Sequence, residues 1–507
     1  MRRTVACLLL CGMACGGSRG SGGAGADVGG DLVEVGGDTT DVRHVDTRDV
    51  PDPSDTPDTP DTPDGSDTAD VRDVDVPPSQ PCEGAETDGH TVGLISCEPG
   101  VEPGYVLFGP NAASRTWLID RAGRVVHKWE HDARPALAVY LLDDGRLLRT
   151  FNTGQGPFRA GGAGGGLELV EWDGEVSWSW RFVGDEARLH HDVAPMPGGS
   201  VMVIAWEYKS AQQAIDAGRD RDAIPDEGAM WAEQILEIRP RGSSEAEVVW
   251  SWHVWDHLVQ DRDPDKPNFG NPSEHPDRVD VNFAGRTADW LHINSVFYRP
   301  DLDQVLLSVH NFSEVWVVDR GTGSLVYRWG NPLAYGRGTS RDQQLFLQHD
   351  ARWIPADRPG GGNLMVFNNG TRARGFSTVD EIVPPLRDDG SYDTGEGAHG
   401  PGSAIWTYAA DDFYSSNISG AERLPGGNTL VCEGAEGRFF EITPVGSVVW
   451  EYRNPDHGTD ITEQGEVPPP SRMGGGLATA TFRARHIPVD HPALAGRDLT
   501  PGAVIER

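Results

Sequence analysis

The chain has 507 residues, with 78 Asp and Glu against 43 Lys and Arg, for a formal net charge of −35. That surplus of anions argues against a nucleic-acid partner, since phosphate binding needs a basic surface. No internal apolar run reaches the ~18 residues of a membrane span, while 16 Trp within a 37% hydrophobic share suit one large repeat domain with appendages.

Arg2 and Arg3 precede an apolar run from Val5 to Ala14, the layout of a secretory signal peptide. The run ends Gly12-Met13-Ala14-Cys15-Gly16, which resembles a bacterial lipobox with Cys15 as the lipidated residue. Gly12 departs from the usual leucine, so ordinary secretion is the alternative. Residues 1–15 therefore predict export as an outer-membrane lipoprotein, periplasmic or at the cell surface. Residues 16–81 read as a disordered acidic linker. Asp recurs at every third position from Asp46 to Asp73 among Pro and Thr. In polyproline II, with three residues per turn, these carboxylates share one edge and repel, so the linker is extended at roughly 3.1 Å per residue.

Cys82 and Cys97 bracket a short lead-in, residues 82–103, and in an exported protein they suit a disulfide. Cys432 stands alone in the apolar run Thr429-Leu430-Val431-Cys432 and reads as a buried small hydrophobe. No pair of cysteines has zinc-site spacing.

From residue 104 to 507 a hairpin recurs: a strand, a turn with Gly or Asp, and a second strand ending on an aromatic. Its copies end at Trp129, Trp180, Trp252, Trp329, Tyr408 and Tyr452. Two-residue alternation with β-branched and aromatic enrichment marks antiparallel strands. Six copies predict an all-β fold, a six-bladed β-propeller; a β-sandwich is the alternative. The terminal aromatics are then packing residues between blades.

A second repeated layout sets a polar residue ahead of an apolar strand. His191 precedes Val201–Ile204, Asn294 precedes Val305–Leu307, His349 precedes Leu364–Phe367 and Ser419 precedes Thr429–Val431. These apolar runs are expected to be the innermost strands, so that the polar residues converge at one mouth of the central channel. By alternation His292 and Asn294 should point together, as should Ser308 and His310, whereas Asp192 and Asp350 should face away. Polar insertions at 210–227 and 261–286 are long enough to cover a site or serve a partner.

Neutral imidazole is a nucleophile and proton carrier near neutral pH. Several imidazoles with an amide donor suit transfer of an anionic group, one attacking while the others bind oxygens or move a proton. His191, His292 and His349 would also suit a metal-dependent hydrolase.

The chain further resembles the bacterial arylsulfotransferase family, the sulfotransferases that do not use the adenylyl-sulfate donor. The resemblance runs from about Gly104 to the C terminus. It rests on Gly104–Phe108, Asp120–Trp129, His190-His191-Asp192, Asp289–Ser295 and Phe312–Trp316, continuing through Phe346–Trp353, Asn368-Asn369-Gly370, Val379–Ile382 and Ile418–Leu430. It implies a six-bladed propeller and ping-pong transfer of a sulfuryl group from an aryl sulfate to a phenol through an N-sulfohistidine, with no cofactor. By motif, His349 is the nucleophile. His292 and Asn294 bind sulfuryl oxygens, and His191 binds the sulfuryl group or assists proton transfer at the ester oxygen, with His190 as the alternative. Where the family is expected to carry a sulfuryl-binding arginine, this chain has His310. Activity is then expected to fall as pH rises through the His310 titration, near 6.5 for an unperturbed imidazole. The alternative reading is a non-catalytic, ligand- or protein-binding propeller lipoprotein.

Overall fold

A computed structural model describes residues 81–154, 156–471 and 475–507. The export signal, Cys15 and the acidic linker up to residue 80 lie outside the described residues. The described chain is a six-bladed β-propeller built from consecutive antiparallel sheets. Blade 1 begins at Tyr105–Pro110, and blades 2 to 6 begin with Pro135–Leu141, Ala187–Pro195, Ile293–Arg299, His349–Trp353 and Gly420–Arg423.

Blades 2 to 6 use their first strand as the innermost one. Blade 1 takes its innermost strand from the far end of the chain: Thr481–Ile487 pairs antiparallel with Tyr105–Pro110, closing the ring. At the seam, Gly93–Cys97 adds a fifth strand to the outside of blade 6, on Val448–Arg453. Cys82 and Cys97 are joined by a disulfide.

The recurring hairpins form the outer two strands of each blade, and their tryptophans tie neighbours together. Trp129 Nε1 donates to the Glu171 carbonyl at 3.2 Å, Trp178 to Glu245 at 2.8 Å and Trp252 to Gly323 at 2.8 Å. Trp329 donates to Pro401 at 2.7 Å, Trp406 to Pro444 at 2.9 Å, and Trp450 to Arg121 at 2.7 Å across the seam. Five of these indoles bury their rings and Trp406 is half-buried, and in all six the one polar atom is satisfied by the next blade.

The innermost strands differ from the sequence reading. Val201–Ser210, Gln304–Val309, Leu364–Asn368 and Thr429–Glu433 are second strands. The polar residues placed ahead of them belong to the innermost strands themselves or lie just before them. Bulges hide this, because the ladders slip between Val203 and Ala205, between Ile293 and Ser295, and between His349 and Arg352. An extra residue breaks the alternation by which a strand is recognised. The four-blade layout nonetheless has a structural counterpart. Asp192 Oδ2 accepts the Val296 N–H, Ser295 Oγ the Ala351 N–H and Asp350 Oδ2 the Ala421 N–H. The residues following His191, Asn294 and His349 therefore stitch each inner strand to the next.

At the channel axis, Arg483 on the closing strand pairs with Asp192 at 2.5 Å and with Asp350 at 3.0 Å, and donates to the Asn294 carbonyl at 3.1 Å. All three side chains are buried. Removing one member of a buried ion network strands the others. Arg483→Met is therefore expected to lower the unfolding free energy by about 3–5 kcal/mol, read as a lower urea midpoint at unchanged slope. A change below about 1 kcal/mol would show that the network does not hold the ring.

Candidate functional site

In an antiparallel meander the connections alternate between the two ends of the channel. Inner strands of blades 3 to 6 begin at one mouth, so their second strands return to it. The segment after Ser210 and the segment between His253 and Ile293 both emerge there. They pack on each other, with Arg219 donating to the carbonyls of Val281 and Gly285. The second segment delivers Asp289 and His292 to the mouth.

Four imidazoles form a row across three blades. Ring centroids are 4.5 Å apart for His191 and His292, 5.0 Å for His292 and His310, and 5.2 Å for His310 and His349. The backbone sets this row by leaving the strand conformation. His191, His292 and Asp350 have φ of 50°, 53° and 51°, a left-handed geometry that costs a non-glycine residue about 1–3 kcal/mol and clusters at functional sites. Strand alternation accordingly stops short of His292, which precedes the strand Ile293–Arg299. His310 opens a 3₁₀ turn, His310–Phe312, beyond the strand containing Ser308. The expected pairs His292/Asn294 and Ser308/His310 therefore do not arise by alternation.

Each ring in the row is held through Nδ1. His349 Nδ1 lies 2.7 Å from Asn369 Oδ1. The Asn369 amide is fixed because its Nδ2 donates to the carbonyls of Ser415 at 2.9 Å and Ile418 at 3.1 Å. Its oxygen must face His349, so the imidazole carries Nδ1–H and turns the Nε2 lone pair free. Ile418, a β-branched residue at φ 47°, holds its carbonyl in place by a left-handed kink. His310 repeats the device: its Nδ1 lies 2.8 Å from Asn311 Oδ1, and Asn311 Nδ2 donates to the Asp289 carbonyl at 2.8 Å. His292 Nδ1 bonds Asp289 Oδ2, and Asp289 Oδ1 accepts from Trp206 Nε1 at 3.0 Å. His191 Nδ1 lies 2.8 Å from His190 Nδ1. Gly162, at φ 78°, lies flat on the His191 ring, and a Cβ there would come within 2.2 Å of it.

Burial, followed by repulsion from His310, lowers the His349 pKa well below the usual imidazole value. His191 is lowered likewise, by burial and then by His292. Burial, with repulsion from His292, pushes His310 down to about 4. An imidazole loses its proton above its pKa, so His310 is neutral near pH 7. The limb expected near 6.5 from this residue does not follow, and His310 supplies no permanent cation in place of an arginine.

Two sequence candidates stand apart from the row. Asn294 is fully buried and its Nδ2 donates to the Gln348 carbonyl at 2.8 Å, bracing the residue before His349. His190 lies behind His191, stacked on Trp206 at 4.1 Å and bonded to Glu233. Asp192 and Asp350 turn to Arg483 in the channel. Beyond them, at the opposite end, is a cavity of about 220 Å³ whose walls include Tyr140, Arg352, Glu422 and Arg485. Arg352 pairs there with Glu422 at 2.9 Å and Arg485 bonds Tyr140 Oη at 3.2 Å.

Asn369, Asp289, Asn311 and Glu233 hold the rings of the site, yet nothing in the sequence pattern assigns them a role. Asp289 three residues before His292, and Asn311 beside His310, were visible as spacing. Glu233 shares the strand Ala229–Arg241 with Gln234 and Glu237, and no spacing sets it apart. Among the described residues, no three His, Cys, Asp or Glu side chains stand where they could share a metal ion.

The arylsulfotransferase (ASST) family model matches residues 105–463, and the chain belongs to that family. No curated protein matches it. Solved structures similar to it include a protein of unknown function from Bacteroides caccae, at 12% identity and TM-score 0.39 over 69% of this chain and 93% of that one. A streptogramin B lyase gives 11%, 0.36, 73% and 84%. The β-propeller domain of Myceliophteria thermophila Cps50 (Swd1) gives 12%, 0.38, 74% and 91%. At these scores the likenesses say nothing about chemistry.

The anchoring amides make a spectroscopic prediction. Imidazole ¹⁵N NMR near neutral pH should find His349 and His310 neutral with the proton on Nδ1, and Asn369→Leu should abolish that preference at His349 alone. A protonated Nε2 on neutral His349 in the wild type would contradict the geometry.

Proposed function

We propose that this member of the arylsulfotransferase family, whose membership implies aryl sulfate donors and phenolic acceptors, works by a ping-pong mechanism through a sulfohistidine on His349. The observation that carries the reading is the Asn369 anchor, which leaves His349 neutral with its Nε2 lone pair turned free.

In the first half-reaction the Nε2 lone pair forms the S–N bond as the bond from sulfur to the aryl oxygen breaks. The aryl oxygen leaves with the bonding pair and takes a proton. His349 keeps Nδ1–H, so its sulfurylated ring is cationic and the Asn369 Oδ1 acceptor stabilises it. In the second half-reaction a phenol oxygen bonds to sulfur, the S–N pair returns to Nε2, and the phenol proton passes to a base. His292, held through Nδ1 by the Asp289 carboxylate between the His191 and His310 rings, faces the sulfuryl oxygens. His191 serves the ester oxygen. His310, neutral, shapes the wall between His292 and His349. Asn294 acts through Gln348 by holding the inner strand in register.

The amino-terminal pattern Arg2-Arg3 to Cys15 supports the same enzyme being exported and lipid-anchored, held off the membrane by its acidic linker. Among the described residues no helix is long and apolar enough to cross a membrane.

Incubating the protein with a chromogenic aryl sulfate, with and without a phenol, tests the reading. Acceptor-dependent release that survives a chelator is expected, and His349→Ala should lose at least ~10³-fold, as befits loss of a nucleophile. Full turnover in His349→Ala sinks the assignment, and no release from the wild type favours the binding-module alternative. Between roughly pH 5 and 8, the kcat/KM profiles of wild type and His310→Gln should share one shape. A limb near 6.5 present only in the wild type would show that His310 titrates there after all.

A further inference from the structure

Behind His191 lies a chain of buried titratable groups that the transfer steps leave unused. His190 Nδ1 is 2.8 Å from His191 Nδ1, and His190 Nε2 is 2.7 Å from Glu233 Oε2. Glu233 is fully buried, on the third strand of blade 3. Two Nδ1 atoms at this distance must share one proton, because two lone pairs or two N–H groups would repel. That leaves two arrangements. In the first, Glu233 is a carboxylate accepting Nε2–H from His190, His191 donates Nδ1–H to His190, and His191 Nε2 is a bare lone pair. In the second, one proton richer, Glu233 is a carboxylic acid donating to His190 Nε2. His190 then donates Nδ1–H to His191, and His191 carries Nε2–H. The Ile293 N–H, 3.2 Å from Glu233 Oε1, marks that oxygen as the acceptor and leaves Oε2 for the hydroxyl.

We infer that Glu233 and His190 form a proton relay through which His191 gives a proton to the departing aryl oxygen and later takes one from the acceptor phenol, without becoming an imidazolium. The inference rests on the sulfuryl-transfer reading. The balance closes over one cycle. As the aryl oxygen takes the Nε2 proton of His191, the shared proton moves to His191 Nδ1 and the Glu233 proton moves to His190 Nε2. The acceptor phenol then protonates His191 Nε2, and both shifts reverse. Glu233 and His190 are positioning residues, since neither touches the reacting atoms.

The surroundings favour the neutral, proton-rich form. Burial, reinforced by the charge of Asp289, raises the Glu233 carboxyl well above its usual range. Burial and then His292 lower both His190 and His191, with Arg188 also acting on His190 and with His349 and His310 on His191. Trp206 covers the His190 face, and Gly162 and Phe482 lie against His191. An imidazolium would be costly there, whereas two hops along existing hydrogen bonds create no buried cation.

Glu233→Gln tests this, because glutamine keeps the shape and donates to His190 Nε2 but cannot release a proton. With phenyl sulfate, whose leaving oxygen needs a proton, the first half-reaction should slow by about 10²-fold or more. With nitrophenyl sulfate, whose phenolate leaves more readily unprotonated, the loss should be roughly tenfold smaller or less. The ratio of the two donors within one preparation does not depend on the fraction folded. Equal losses on both donors, or no loss on phenyl sulfate, overturn the relay. If the wild type transfers no sulfuryl group, the activity reading has failed, and imidazole ¹⁵N NMR judges the relay alone. It requires His190 and His191 to share one Nδ1 proton and stay neutral near pH 7, and an imidazolium signal from either ring overturns it.

Discussion

Arg483 is the residue on which the ring and the site both depend. It sits on the last strand, which closes the propeller by becoming the innermost strand of blade 1. Its guanidinium grips Asp192 and Asp350, the residues directly after His191 and His349. Closing the ring and setting the two histidines are therefore one event. Buried ion networks are poor sources of stability compared with apolar packing, but breaking one strands its partners at a high cost. Here the register places each histidine at the mouth and each following carboxylate below it. The family match ends at residue 463, so the grip comes from a part of the chain beyond the matched segment.

The chemistry above that grip follows from where Nδ1 is spent. A neutral imidazole has one donor and one acceptor, and fixing one fixes the other. Asn369 and Asn311, each oriented by backbone carbonyls, make His349 and His310 lone-pair rings at Nε2. Asp289 is likewise an acceptor at His292 Nδ1, whereas the Glu233–His190 pair leaves His191 as the ring able to present N–H. In the proposed mechanism the row thus divides into a nucleophile, a neutral spacer, a sulfuryl-facing ring and a proton carrier. Four residues of one type stand in four settings because their Nδ1 partners differ.

The repeating part of this arrangement was legible in the sequence. Two-residue alternation and the aromatic that closes each copy suffice to find six hairpins, since every blade must bury the same two faces. The inner strands were harder. His191, His292 and Asp350 adopt left-handed backbone that interrupts alternation, so the sequence displaced the inner strands by one. Thr481–Ile487 was missed because Arg483 and Arg485 make it look solvated; only Asp192, Asp350 and Tyr140, more than a hundred residues away, make those arginines interior. The tautomer of His349 was out of reach for the same reason, since it is set by carbonyls at Ser415 and Ile418. His310 misled in another way: its type suggested a titration near neutrality, and burial beside His292 removed it.

In the proposed mechanism His349 Nε2 is the atom that takes the sulfuryl group. Mixing the enzyme with an aryl sulfate in the absence of phenol, trapping the intermediate at high pH and locating the label by mass spectrometry and imidazole ¹⁵N NMR addresses this directly. The predicted result is a stoichiometric, acid-labile adduct on His349 with sulfur on Nε2 and the proton still on Nδ1, discharged by added phenol. An adduct on His191, His292 or His310, attachment through Nδ1, or single-step transfer with no adduct would contradict it.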